Sequence, residues 1–312
     1  MTAGYKLVQL ANGAHSVHSL VHGETFHPAI GPVAEAEALY VNQLSLGQRL
    51  KDFGGELVIW DVGLGAAANA LTVLRAVREL PCTIRLVSFD QTSAPLEFAL
   101  QHAEALGYFG GYENHIHELL RANQVAFRDG QQSVNWELHL GDFPALLESG
   151  TGFQPVQRAL QREQSAPASL SLGADRLEAC PTLPPPHAIL FDPYSPKKNP
   201  EMWTLPLFTR LFQLLDPQRL CALPTYSRST IPRVTLLLAG FFVGVGHATG
   251  QKEETTIAAN SPQLIAEPLD RKWLARARAS HSAEPLSEPV YRQAPLSAAS
   301  WEKLQMHPQF HP

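Results

Sequence analysis

Three acidic residues stand at the ends of short apolar runs, the places where an open α/β sheet presents its chemistry. The first run closes as Trp60-Asp61-Val62-Gly63-Leu64-Gly65-Ala66-Ala67-Ala68, which reads as a strand, a glycine turn and a helix start. Gly63 and Gly65 permit a tight turn and close approach of a ligand to the backbone, and the N–H groups opening the helix attract anionic or polar ligand atoms. The second run ends at Asp90, where a carboxylate can accept both hydroxyls of a ribose. Strand, glycine turn and distal acid together predict a nucleoside cofactor; the plainer reading is an ordinary tight turn with a solvated aspartate.

The stretch Gly63 to Ala68 also fits G-x-G-x-x-A, a pattern that suits a dinucleotide. Three features favour S-adenosylmethionine. Asp61 precedes the glycines on the strand, where a dinucleotide site usually has an apolar residue, and could hold the cationic amino group of the methionine portion. Gly141-Asp142 follows the third strand, where a carboxylate can receive the adenine N–H, a helix N-cap being the alternative. The chain also closes its sheet with two strands joined by a short connection, the ending of class I methyltransferases. The fourth strand leads into Phe191-Asp192-Pro193-Tyr194-Ser195-Pro196-Lys197-Lys198-Asn199-Pro200-Glu201-Met202-Trp203. Asp192 can orient the N–H groups of an amine, and Tyr194 can stack on a planar base carrying it.

The elements that must position these residues follow from hydrophobic spacing. Tyr5 to Leu10, Asn12-Gly13 and His15 to Val21 predict a hairpin, and Pro32 to Leu50 a helix. From Leu57 to Pro224, apolar strands alternate with amphipathic helices, which predicts a doubly wound, mostly parallel α/β sheet. Phe241 to Val245 and Thr255 to Ala259 lie too close for a helical crossover and predict an antiparallel hairpin at one edge. The organisation expected is an N-terminal hairpin-and-helix extension over 1–52, a cofactor-binding domain over 53–260 with a mobile proline-rich insertion at 149–187, and a proline-rich tail over 261–312 with one helix, Asp270 to Ser280.

Composition narrows the class. With 45% hydrophobic and 17% charged residues the chain is globular, and its net charge of −5 confines any nucleic-acid contact to a clustered basic face. Candidates for that contact are Lys197, Lys198, Arg228, Arg233 and Lys252. Cys82, Cys180 and Cys221 form no C-x-x-C pair, and His15, His18, His22 and His27 lack metal-ligand spacing, so reduced thiols and no metal are expected. No apolar run reaches the roughly 18 residues of a spanning helix, and a secretory start is missing, so the expected compartment is the cytoplasm.

These residues resemble the methyltransferase domain of the bacterial MnmC-like family. Asp192 to Trp203 is similar to that family's D-x-F-x-P-x-x-N-P-x-M-W, and further matches are His22-Gly23-Glu24-Thr25-Phe26-His27 with Glu35, the strand bearing Gly63 and Gly65, Thr225-Tyr226-Ser227, and Ala239-Gly240-Phe241. Tyr194 stands where the family often has Phe, and the last hairpin is less basic than the family's. The resemblance implies a class I fold, S-adenosyl-L-methionine as cofactor, and methylation of the aminomethyl group on a tRNA wobble uridine. It implies that Glu24, Glu35, Gly63, Asp90 and Asp142 line the cofactor site and that Asp192 and Tyr194 meet the target amine. The flavin oxidoreductase domain of two-domain members is not in this sequence, so methyl transfer alone is expected, with a separate enzyme supplying the aminomethyl precursor. The competing readings are a relative of the D-P-P-Y DNA adenine methyltransferases, a NAD-binding protein, and a binding module without turnover.

Overall fold

The turn pair Asn12-Gly13, with Gly13 at φ 86, joins β1 (Tyr5–Gln9) to β2 (His15–Ser19) as an antiparallel hairpin, and β3 (Glu24–Thr25) adds to β2. The computed structural model describes residues 4–51, 53–148, 183–250 and 253–311. The single helix expected over Pro32 to Leu50 is divided into α1 (Pro32–Ala36), a π-helical turn (Glu37–Asn42) and α2 (Leu46–Lys51), with Ser45 at φ 49 between them. A π turn inserts one residue into the helical register. Here it carries Tyr40, fully buried, whose phenol senses the carboxylates of Asp192, Glu35 and Asp61.

The core sheet runs in the order β10-β11-β9-β8-β4-β5-β7-β6. Its strands are β4 (Glu56–Val62), β5 (Thr83–Asp90), β6 (Gln124–Asp129), β7 (Gln132–Leu140), β8 (Ala188–Phe191), β9 (Ala222–Thr225), β10 (Phe242–Gly246) and β11 (Thr255–Ala259). Strands β9, β8, β4, β5 and β7 are mutually parallel. Strand β11 lies antiparallel between β9 and β10, giving the doubly wound sheet and the closing hairpin that the spacing predicts. The helices are α3 (Ala68–Val77), α4 (Ala94–Gln101), α5 (Ala103–Leu106), α6 (Glu113–Ala122), α7 (Phe143–Glu148), α8 (Leu205–Leu214), α9 (Thr230–Ala239), α10 (Arg271–Ala279) and α11 (Ala298–Gln305). Side chains of β4 alternate between two cores: Leu57 and Ile59 join the layer under α3, while Val58, Trp60 and Val62 join the layer under α8 and α9.

Two elements, α6 and the edge strand β6 antiparallel to β7, lie beyond the sequence reading. Their apolar residues are diluted by Asn, His, Glu and Arg, which weakens the periodic signal. The insertion expected at 149–187 falls mostly outside the described residues; its end returns to the core, where Pro184 O accepts from Trp60 Nε1 at 3.2 Å. Residues 261–311 carry two α-helices rather than the one expected, and they are packed. Trp273, Leu286, Leu296, Leu304 and Phe310 are buried in the second core layer. Gln309 hooks the backbone of Val243 at 2.7 and 2.8 Å. Burial of such side chains at about 1.5–3 kcal/mol each explains why so proline-rich a stretch holds its place.

Candidate active site

The carboxyl ends of β4, β5, β7 and β8 and the N-terminal sheet enclose a cleft of about 520 Å³, a volume suited to a nucleoside-sized ligand. Its lining contains six carboxylates (Glu24, Glu35, Asp90, Asp142, Asp192 and Glu201) against one lysine, Lys198. Such a lining favours a cationic occupant.

The glycine loop is shaped by protein as much as by ligand. A Cβ on Gly63, at φ +91, would stand 2.8 Å from the carbonyl oxygen of Asp192, and one on Gly65, at φ +53, would stand 3.2 Å from the Phe26 ring. The two glycines therefore let the β8 loop and the N-terminal sheet close on the end of β4. The amides of the loop itself are engaged internally: Gly63 and Leu64 donate to Phe89 O at 2.9 and 3.2 Å, and Gly65 donates to Asp90 Oδ2 at 2.8 Å. Asp90 also accepts from the Thr92 amide at 3.2 Å, and burial raises its pKa against those hydrogen bonds. A carboxylate has about four lone-pair sites, so the Gly65, Thr92 and Gln91 amides leave room for a ribose hydroxyl.

Asp142 accepts from Ala145 N at 3.2 Å in the first turn of α7, the capping alternative, and it also lines the cleft. Asp61 departs from expectation. It is 1% exposed beneath the floor and is not part of the cleft lining, because its β4 position faces Ser88 of β5. Ser88 Oγ donates to its Oδ2 at 2.9 Å and accepts from Trp136 Nε1 at 2.9 Å, while Oδ1 is buried without a partner. Burial pushes its pKa up to about 7, with Asp192 and Asp90 adding to the rise and Ser88 opposing it. It cannot touch a ligand's amino group directly.

Asp192 lies at the end of β8, with its side chain 11% exposed, and its Oδ2 accepts from Asn69 Nδ2 at 2.7 Å. Tyr194 lines the cleft too, but one face is already stacked on His22 at 4.0 Å between centroids, and Phe26 meets it edge-on at 5.7 Å. Only its other face could meet a planar base. Burial drives its phenol pKa up, against a hydrogen bond with Ser19. Glu24 accepts from Ser195 N at 3.3 Å and from Ser195 Oγ, fastening β3 to the β8 loop. Glu35, in the first turn of α1, is 5% exposed and faces His27 Nδ1 at 3.4 Å.

The basic candidates separate sharply. Lys197, Lys198 and Arg228 are exposed near the cleft, and Lys252 lies outside the described residues. Arg233 is a correction: it is 2% exposed and bound to Thr256 Oγ1, Glu254 Oε1 and Thr255 O at 2.9, 3.0 and 2.6 Å, because the α9 face that carries it is buried against β11. It is a structural clamp, not a nucleic-acid contact.

The sequence reading assigned no role to Asn69 or His27. Asn69 Oδ1 is a buried acceptor without a partner in a residue that lines the cleft; an amide in the otherwise apolar start of α3 was the available signal. Orphaned acceptors at Asn69 and the acidic lining fit a cofactor bearing amino, sulfonium and hydroxyl groups. Among the described residues no cluster of His, Cys, Asp and Glu could hold a metal ion, and no helix is long and apolar enough to cross a membrane.

Residues 159–261 match the model of a family described as S-adenosyl-L-methionine-dependent methyltransferase. The tRNA 5-methylaminomethyl-2-thiouridine biosynthesis bifunctional protein MnmC of Methylibium petroleiphilum is 28% identical over 272 residues, covering 84% of this chain and 35% of the relative. Its namesake from Ectopseudomonas mendocina is 31% identical over 226 residues, covering 72% and 29%. The crystal structure of MnmC2 from Aquifex aeolicus superposes with a TM-score of 0.62 at 19% identity, covering 97% of this chain and 83% of that one. The chain thus spans about a third of the length of the curated relatives it matches, and the superposition bears on the fold.

Proposed function

Because this chain belongs with the MnmC-like S-adenosyl-L-methionine-dependent methyltransferase domains, we propose that it methylates the aminomethyl group on the wobble uridine of tRNA. The observation that carries the proposal is the convergence of Asp192, the glycine loop and Asp90 on one acid-lined cleft. When bound, S-adenosyl-L-methionine supplies an electrophilic methyl group. Asp90 would take a ribose hydroxyl, Asp142 the adenine N–H, and Asn69 Oδ1 an N–H of the methionine portion. Glu24 and Glu35, whose partners are Ser195 and His27, would complete the acidic lining of the cofactor site.

The amine nitrogen must attack as the neutral free base, correctly oriented, and positioning is the main protein contribution. Asp192 accepts an amine N–H, its other contacts to Asn69 and His27 holding the carboxylate still. Tyr194 offers its remaining face to the uracil ring. Six carboxylates that favour the cationic donor would repel phosphate, so the tRNA backbone is held at the rim by Lys197, Lys198 and Arg228. A second hollow of about 370 Å³, lined by Lys197 and sharing Ser195 with the cleft, extends that rim. The aminomethyl group must come from another enzyme, and a cytoplasmic setting fits a tRNA substrate.

The test is mass spectrometry of nucleosides from undermodified tRNA incubated with protein and methyl donor. Gain of one methyl on aminomethyl uridine is expected. Cofactor binding without gain on any tRNA would refute the substrate and leave the methyltransferase class.

A further inference from the structure

We infer that the second hollow is a subsite for the nucleotide flanking the target uridine, and that the tail over 261–311 builds half of it as part of the RNA contact. The inference rests on the tRNA substrate proposed above and deepens it by seating a neighbouring nucleotide.

Two cavities that meet at Ser195 have opposite chemistry. The cleft gathers six carboxylates around one lysine. The hollow of about 370 Å³ is lined by Lys197, the hydroxyls of Ser229, Thr230, Ser282 and Tyr291, and the amide of Gln293, with no carboxylate among its described residues. A cationic methyl donor fits the first; a phosphate, which takes an ammonium and several O–H donors, fits the second. The nearby acids are occupied elsewhere. Glu201 lines the cleft, Glu254 is held by Arg233 at 3.0 Å, and Glu284 accepts from the Ser297 and Ser300 hydroxyls at 2.9 and 2.8 Å. Burial lowers the Arg233 pKa, Glu254 opposes the fall, and Arg276 and Arg228 add to it. The guanidinium of tail helix α10 and that of the loop before α9 thus bring positive charge to the first turn of α9, which also borders the hollow.

The two walls differ in origin. One is the loop after β8 with the start of α9; the other is the tail segment from Ser280 to Gln293. That segment is fastened before any RNA arrives. Ala283 and Glu284 donate to Ala294 O at 2.9 and 3.0 Å, Leu205 N donates to Leu286 O at 2.8 Å, and Ala283 and Leu286 are buried. A preformed wall loses little entropy on binding. Ser195 follows Tyr194 directly, so a strand whose uridine lies on Tyr194 carries its adjoining phosphate toward Lys197. A base that leaves its stack to enter the cleft also unstacks its neighbour, and Tyr291, half-buried against the second core layer, provides a ring for it.

The experiment compares tRNA KM, kcat and S-adenosyl-L-methionine Kd for wild type, Gln293→Glu, Gln293→Lys and the control Gln131→Glu, with aminomethyl tRNA as acceptor at low salt. Gln293 and Gln131 are both exposed, so neither substitution disturbs the core. Gln131 lies in the β6–β7 turn, at the sheet edge opposite β10. Gln293→Glu should raise tRNA KM about tenfold and Gln293→Lys should lower it about threefold, because a carboxylate there repels the phosphate and an ammonium attracts it. Both effects should shrink as salt rises, with kcat and cofactor Kd within about twofold of wild type. Gln131→Glu should leave tRNA KM within about twofold, distant charges being screened. Equal tRNA KM for Gln293→Glu and Gln293→Lys would overturn the inference. So would a rise for Gln131→Glu matching that for Gln293→Glu, which would reduce the effect to net charge. Wild type that transfers no methyl to this tRNA would refute the substrate reading instead, whereas charge-insensitive KM in an active enzyme would leave that reading standing.

Discussion

Asp61 offers a stability test whose sign and size follow from its surroundings. Burial raises it from an ordinary 3.8 to about 7, so the folded state binds its proton more tightly than the unfolded state does. The associated stability is fully present below about pH 4 and is lost as pH rises through 7. At 1.4 kcal/mol per tenfold the whole effect is about 4 kcal/mol, of which roughly half or more falls between pH 5 and pH 8.5. Asp61→Asn keeps the shape and can still accept from Ser88, but it never ionises. Its amide hydrogens face the side on which Oδ1 has no partner, at a cost of about 1–3 kcal/mol that does not depend on pH. In urea unfolding of cofactor-free protein, the variant-minus-wild-type stability should therefore move by about 2–3 kcal/mol in the variant's favour from pH 5 to pH 8.5. A difference constant across that range would refute the reasoning and show Asp61 to be ionised throughout.

Asp192→Ala should abolish methyl transfer with cofactor affinity nearly intact by calorimetry, whereas Asp90→Ala should weaken cofactor binding with little change in turnover at saturation. Gly63→Ala forces a Cβ to 2.8 Å from Asp192 O at φ +91; a loss of about 2–4 kcal/mol in denaturant unfolding is expected, with turnover falling more than cofactor affinity. Arg233→Leu removes the donor to the buried acceptors Thr255 O and Thr256 Oγ1 while Glu254, partly exposed, turns to water, and should cost about 1–3 kcal/mol without changing tRNA affinity of the folded protein. Lys197→Glu should leave Tm unchanged, weaken binding of all tRNAs alike and flatten its salt dependence, as read by filter binding.

The sheet was legible because unbroken apolar runs such as Leu57 to Val62 and Ile84 to Phe89 have few alternatives to buried parallel strands, and the short link between the last two strands forces them antiparallel. The ends of those strands located Asp90, Asp142 and Asp192 in one cleft. Position along a strand does not reveal which neighbour a side chain faces, so Asp61, adjacent to the glycines in sequence, was assigned to a ligand although it points at Ser88. Arg233 was misjudged for the same reason: charge suggests exposure, while three hydrogen bonds make burial tolerable. His27 was legible as part of a motif, but its bridging of Glu35 and Asp192 arises from chain segments that only folding brings together. The tail's packing was hidden by its prolines, whose apolar neighbours Leu286, Leu296 and Phe310 are spaced too irregularly to announce a core.

Phe26 fills the space over Gly65, His22 covers Tyr194, and Glu24 grips Ser195, so residues 4–51 furnish one wall of the cleft while the strand ends of the later sheet furnish its floor. The two halves share one core: Leu39, Tyr40, Leu46 and Leu50 are buried in the same cluster as Leu57, Ile59 and the α3 residues Leu71 and Leu74. A change in that opening segment that alters the residues facing the cleft must therefore keep its core-facing side chains, or the sheet beneath loses part of its packing.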